Sequence, residues 1–151
     1  MKISTRGRYA LRMMIDIALH GEENPVRIKD IAARQQISEK YLEQIVSVLN
    51  KGGFVRSSRG PMGGYRLARR AEEYTAFDIL TAIEGSLAPV ACLETEVNDC
   101  PRREHCATLT LWEEVDEAIR GVLKGVTLAN LVERQKKIGE VDIGATVICS
   151  L

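Results

Sequence analysis

Apolar residues recur at helical spacing along most of this chain, and the polar residues between them mark where each helix starts and stops. Ala10, Met13, Met14, Ile17 and Ala18 fall on one face of a first helix, which Ser4 or Thr5 can cap and Gly21 ends. Glu22-Glu23-Asn24-Pro25 reads as a turn. A short second helix spans about Ile28 to Gln35, with Ile28, Ile31 and Ala32 inward. After the tight turn Gln35-Gln36-Ile37, Ser38 is placed to cap a third helix running to about Asn50. Its apolar stripe is Leu42, Ile45, Val46 and Leu49, and its other face carries Glu39, Lys40, Glu43, Gln44 and Ser47. Gly52-Gly53 stops it.

The pattern then changes period. Phe54 to Ser57 reads as a short strand and Tyr65-Arg66-Leu67 as its return partner. Ser58-Arg59-Gly60-Pro61-Met62-Gly63-Gly64 between them makes a tight exposed hairpin, with Arg56, Arg59 and Arg66 supplying charge. Helical spacing resumes near Thr75, where Asp78 completes a capping box, and runs through Phe77, Ile79, Leu80 and Ile83 to Gly85. Residues 86–103 lose periodicity. A long helix is expected from about Glu104 to Lys124. Its apolar surface of Leu111, Trp112, Val115, Ala118, Ile119, Val122 and Leu123 is too wide for one neighbour. Thr127 starts a last short helix with Leu128, Leu131 and Val132.

Helix, tight turn, helix and glycine-rich hairpin form the order of a winged helix-turn-helix. A polar outer face on the second helix of such a pair suits the DNA major groove, and a wing suits phosphates or a second groove. The expected fold class is mainly α with a small β-hairpin wing and a long C-terminal dimerisation helix. The expected organisation is a DNA-binding unit over 1–85, a cysteine-bearing sensor loop over 86–103, dimerisation helices over 104–137 and a flexible tail over 138–151.

The net charge of zero argues at first against a nucleic-acid partner, but the total hides an asymmetry. Residues 1–73 hold 14 Lys/Arg against 8 Asp/Glu, and residues 74–151 hold 7 against 13. A basic front half on an acidic back half fits a DNA reader joined to a separate sensing or assembly module. No apolar run reaches the roughly 18 residues that span a bilayer, and the start lacks a signal-peptide stretch, so a cytoplasmic protein is expected. With two histidines, no nucleophile–histidine pair and no cofactor loop, an enzyme is not expected.

Of the four cysteines, Cys92, Cys100 and Cys106 lie within fifteen residues in a polar stretch, which suits buried packing poorly. Clustered thiolates favour a soft metal or an iron–sulfur cluster. Zinc is the competitor, with His105 as a fourth ligand, although structural zinc sites use shorter gaps between paired cysteines.

Four segments together resemble the IscR/NsrR group of winged-helix regulators, the Rrf-two superfamily. They are Met1 to Ala10, Ser38-Glu39-Lys40-Tyr41-Leu42-Glu43-Gln44, Arg59-Gly60-Pro61-Met62-Gly63-Gly64-Tyr65 and Val126-Thr127-Leu128-Ala129-Asn130-Leu131. The resemblance implies a homodimer on a pseudo-palindromic operator in double-stranded DNA. It implies DNA contacts from Ser38, Lys40, Tyr41, Glu43 and Gln44 on the recognition helix and from Arg59 on the wing. It also implies that Cys92, Cys100 and Cys106 match the three cysteines that hold an iron–sulfur cluster, with 2Fe–2S expected ahead of 4Fe–4S. Two features depart from the family pattern. The loop between the first two cysteines is two residues longer, and the usual fourth-ligand positions hold Leu109 and Arg8. His105, Glu104, a loop carboxylate or Cys149 remain as candidates for that ligand. Relatives without the cysteines answer to a protein partner from cysteine synthesis, so a metal-free repressor controlled by a partner or by thiol oxidation is the alternative.

Overall fold

The computed structural model describes residues 2–139. The expected tail over 138–151 and Cys149 therefore lie almost wholly outside the described residues. Six helices and one hairpin follow in the order α1 (Thr5–His20), α2 (Ile28–Gln35), α3 (Glu39–Lys51), β1 (Val55–Ser58), β2 (Gly64–Leu67), α4 (Ala76–Glu84), α5 (Leu109–Lys124) and α6 (Leu128–Ile138). None of the helices is long and apolar enough to cross a membrane.

α1 is the central element, and α3, α4 and α6 all pack on it. Ser4 caps it by accepting from the Gly7 N–H at 3.0 Å, and its own hydroxyl donates to Glu84 Oε1 at 2.6 Å. The Ser4 N–H donates to the same oxygen at 2.9 Å, so the start of α1 is fastened to the end of α4. Gly7 permits this approach, because a Cβ there would lie 2.2 Å from Glu84 Oε1. The core beneath is apolar: Met13, Met14, Ile31, Leu42, Ile45, Leu49, Ile79 and Leu128 are fully buried. Each such side chain contributes about 1.5–3 kcal/mol through burial.

β1 and β2 pair antiparallel with Val55 opposite Leu67 and Ser58 opposite Gly64. Val26 adds a rung, donating to and accepting from Tyr65 at 2.9 and 2.8 Å. Gly64 is required at this crossing, since a Cβ would sit 2.5 Å from the Val26 carbonyl oxygen. The base of the wing is closed by Tyr74, which is fully buried. Its hydroxyl donates to the Phe54 carbonyl at 2.7 Å and accepts from the Arg69 N–H at 2.8 Å, while its ring stacks on Phe54. Tyr74→Phe keeps the ring and loses both bonds. It is expected to lower unfolding free energy by about 1–2 kcal/mol, read as a shifted urea midpoint at constant slope. An unchanged midpoint would show that the latch contributes nothing.

α4 and α6 begin side by side. Each carries a capping box, Thr75 with Asp78 and Thr127 with Asn130, and Thr75 bridges Thr127. Backbone bonds from Ala76 N to Val126 O and from Leu128 N to Tyr74 O, at 2.8 and 2.9 Å, seal the junction.

Two expectations need correction. The helix placed from about Glu104 starts at Leu109; residues Arg103–His105 form only a 3₁₀ turn. Cys106 is extended, at φ −98° and ψ 101°, and that geometry separates the turn from α5. The first strand begins at Val55 rather than Phe54, whose N–H donates to Leu49 in the last turns of α3 and whose C=O accepts from Ala68 just after β2.

α5 packs on α4 by one side only, and none of its residues is fully buried. Arg120 and Lys124 lie over the Phe77 ring, with Arg120 held by Asp116 at 2.6 Å. On the other side Leu111 and Val122 are 51% and 67% exposed.

Candidate nucleic-acid interface and cysteine segment

The face of α3 opposite its buried stripe is open. Ser38, Lys40, Glu43 and Gln44 are exposed, and Lys40, Glu43 and Gln44 have no hydrogen bond or ion pair among the described residues. Polar side chains without partners on one face of a helix are free to bond an external ligand. Ser38 Oγ is used locally as the cap, accepting from the Tyr41 N–H at 3.3 Å. Tyr41 differs from the others in being half-buried, its ring edge against Tyr9 with centroids 5.7 Å apart. It therefore also packs α3 on α1.

Arg59 is exposed at the end of β1, beside Gly60 at φ 99°. The other two wing arginines face each other across the ladder, Arg56 opposite Arg66. They divide in role: Arg56 is exposed, whereas Arg66 is half-buried and donates to the Glu23 carbonyl. Met62, 73% exposed, sits at the wing tip. The open polar face of α3 and the wing arginine thus belong to consecutive elements, with α3 packed on α1 and α2.

Sequence reasoning missed the polar cluster under this surface. Asp16 is 1% exposed and is the one charged residue among the buried described residues. Arg34 Nε lies 3.2 and 3.0 Å from its two carboxylate oxygens, Arg34 Nη2 donates at 2.7 Å and Gln35 Nε2 at 2.9 Å. His20 Nδ1 is 3.6 Å from Oδ1. An acid three residues after buried Met13 was the available signal.

The three cysteines lie on the one long described segment without α-helix or strand, between α4 and α5. Cys92 is in the 3₁₀ turn Ala91–Leu93, the Cys100 N–H bonds Asn98 Oδ1 at 3.0 Å, and Cys106 follows Arg103–His105. All three are free thiols of intermediate exposure. The Cys106 thiol is held below its usual pKa by hydrogen bonds from the Thr108 hydroxyl and the Thr108 and Leu109 backbone, with the Arg102 charge assisting. Such a thiol reaches the thiolate form, the metal ligand and nucleophile, at lower pH than an ordinary cysteine. Among the described residues no three His, Cys, Asp or Glu side chains are gathered closely enough to hold a metal ion. Three free thiols are donors that fit a soft metal or cluster, while the described arrangement does not gather them into one ready group.

Residues 3–134 match the family Rrf2, described as iron-dependent transcriptional regulator. The protein rrf2 of Nitratidesulfovibrio vulgaris is 49% identical over 132 residues, covering 87% of each chain. The HTH-type transcriptional regulator IscR of Serratia proteamaculans is 44% identical over 89% of this chain and 81% of its own. Among solved structures, CymR, the global cysteine regulator of B. subtilis, superposes with a TM-score of 0.74 at 38% identity. That match covers 89% of this chain and 98% of CymR. With its winged helix-turn-helix fold and these relatives, the chain belongs to the Rrf2 family of transcriptional regulators.

Proposed function

We propose that this regulator binds operator DNA as a homodimer, with α3 in the major groove and the wing beside it, and that an iron–sulfur cluster at Cys92, Cys100 and Cys106 sets its affinity. The observation that carries the DNA reading is the unpaired polar face of α3, Lys40, Glu43 and Gln44, next to Arg59. Ser38 and the half-buried Tyr41 are the further residues assigned to that face. A glutamine there suits adenine, and a glutamate accepts from a cytosine amine. Arg59→Ala is expected to weaken operator binding by about 1–3 kcal/mol at fixed moderate salt, measured by fluorescence anisotropy. Parent-like affinity would remove the wing from the interface.

The cluster reading is supported by the donor set, three free thiols on one segment, and by the similarity to IscR and to a family described as iron-dependent. Because that segment is built of turns, it can close around a group without breaking a helix. When bound, a cluster supplies a redox-responsive centre between the DNA-binding unit and α5. His105 and Glu104, both exposed beside Cys106, and the loop carboxylates are the candidates among the described residues for a fourth ligand. Protein purified without oxygen is expected to be coloured and to contain iron and sulfide, and Cys92→Ala, Cys100→Ala or Cys106→Ala is expected to bleach it and shift operator affinity together.

The similarity to CymR, and thiols that are not gathered to metal distance, favour a second reading. In it the same winged helix works without metal, under a protein partner or thiol oxidation, and Cys106, its pKa lowered from the ordinary value, is a thiol suited to react. Colourless, zinc-free protein with full operator affinity decides for that reading; stoichiometric zinc assigns the thiols to zinc instead.

A further inference from the structure

We infer that Arg12, Asp16, Arg34 and Gln35 form a positioning clamp that sets the angle of the recognition helix and so the discrimination between operator and random DNA. The inference rests on the DNA reading above.

The turn between α2 and α3 is the joint on which recognition depends, and it is made by Gln36 at φ 55° and ψ 45°. Among the described residues it is the one non-glycine residue with positive φ. That conformation is unfavourable for a side-chain-bearing residue, so its surroundings must hold it. Gln35, immediately before it, is held at both ends. Its Nε2 donates to Asp16, its Oε1 accepts from Arg12 Nε at 3.1 Å, and its backbone carbonyl accepts from Arg12 Nη2. Arg34, one residue earlier, forks onto the same buried carboxylate. Two successive residues of α2 are thereby fastened to α1 through one carboxylate and one guanidinium.

A second contact reaches the other side of the joint. The Arg12 guanidinium lies 5.1 Å over the Tyr9 ring, and Tyr9 meets Tyr41 in the first turn of α3 edge to face. One arginine therefore touches both the end of α2 and, through Tyr9, the start of α3. None of the four clamp residues belongs to the open polar face of α3. A bidentate contact to a base edge tolerates errors well under an ångström, whereas phosphate attraction falls off slowly. Loosening the joint should therefore cost sequence-specific affinity and leave general electrostatic attraction in place.

The test uses duplexes that the parent selects from a randomised library. The Kd values for a selected and a random duplex are measured at one salt concentration, with circular dichroism to confirm folding. Gln35→Ala changes no charge. It is expected to raise the Kd for the selected duplex about tenfold or more and to move the random-duplex Kd by less than about twofold. Arg34→Lys keeps its charge but loses the planar fork, and the same split is expected. A folded variant whose two constants move together, or not at all, overturns the clamp. So does unfolding of both variants at the assay temperature, which would make the cluster a folding element only. A parent that selects no sequence removes the DNA reading itself, and the clamp with it.

Discussion

Asp16→Ala is expected to destabilise the folded chain by about 3 kcal/mol, the largest effect of any single polar substitution proposed. The carboxylate is 1% exposed, and it accepts from Arg34 through both oxygens and from Gln35 through one. Breaking a buried ion pair by removing one partner costs about 3–5 kcal/mol, because the other charge is left without compensation. The Arg34 side chain is 32% exposed, so water recovers part of the loss and the low end of that range applies. Asp16→Asn keeps the volume and a hydrogen-bond acceptor and should cost less than the alanine variant. Urea unfolding of the three proteins checks both the size and the order. If alanine and asparagine variants unfold with the parent's midpoint, the buried carboxylate is not a structural charge.

The contrast between what the sequence displays and what it conceals follows from how each feature is encoded. α1, α3 and α4 were legible because their buried residues recur every three or four positions and their caps are local: Ser4, Ser38 and Thr75 each accept from a backbone N–H three residues on. The wing was legible because three glycines and a proline within seven residues permit little else. Asp16 was not, because its partners Arg34 and Gln35 lie 18 and 19 residues away and no period links them. Tyr74 lies outside every apolar stripe, and its two hydrogen bonds reach across the wing to Phe54 and Arg69. The onset of the fifth helix was misplaced for a related reason. Glu104 and His105 have helix-compatible side chains, and only the extended backbone at Cys106 shows that the turn there does not propagate. The cysteines were legible as a group by spacing, but spacing says nothing of whether the thiols converge.

Val122→Asp is expected to convert the proposed homodimer to a folded monomer. Leu111, Val115, Ala118 and Val122 follow one another at four, three and four residues along α5, a single stripe on the side away from Phe77. Leu111 and Val122 are more than half exposed, so these two ends of the stripe are left uncovered among the described residues. A second copy covers them if the two α5 helices pair about a two-fold axis, where each stripe meets itself. A palindromic operator requires the same symmetry. An aspartate at 122 then buries two unpaired like charges at the axis, a cost of about 3 kcal/mol or more, which raises the dimer dissociation constant about a hundredfold. Ile119, named with this surface from sequence, is half-buried, and a charge there would disturb packing within the chain as well. Val122 is the cleaner probe because its side chain is 67% exposed and the monomer has little reason to unfold. Sedimentation equilibrium with circular dichroism on the same samples separates the outcomes. A folded variant that remains dimeric at the parent's concentrations takes the α5 stripe out of the interface. A folded monomer should also lose affinity for a two-half-site duplex far more than for a single half-site, since only the dimer gains from the second contact.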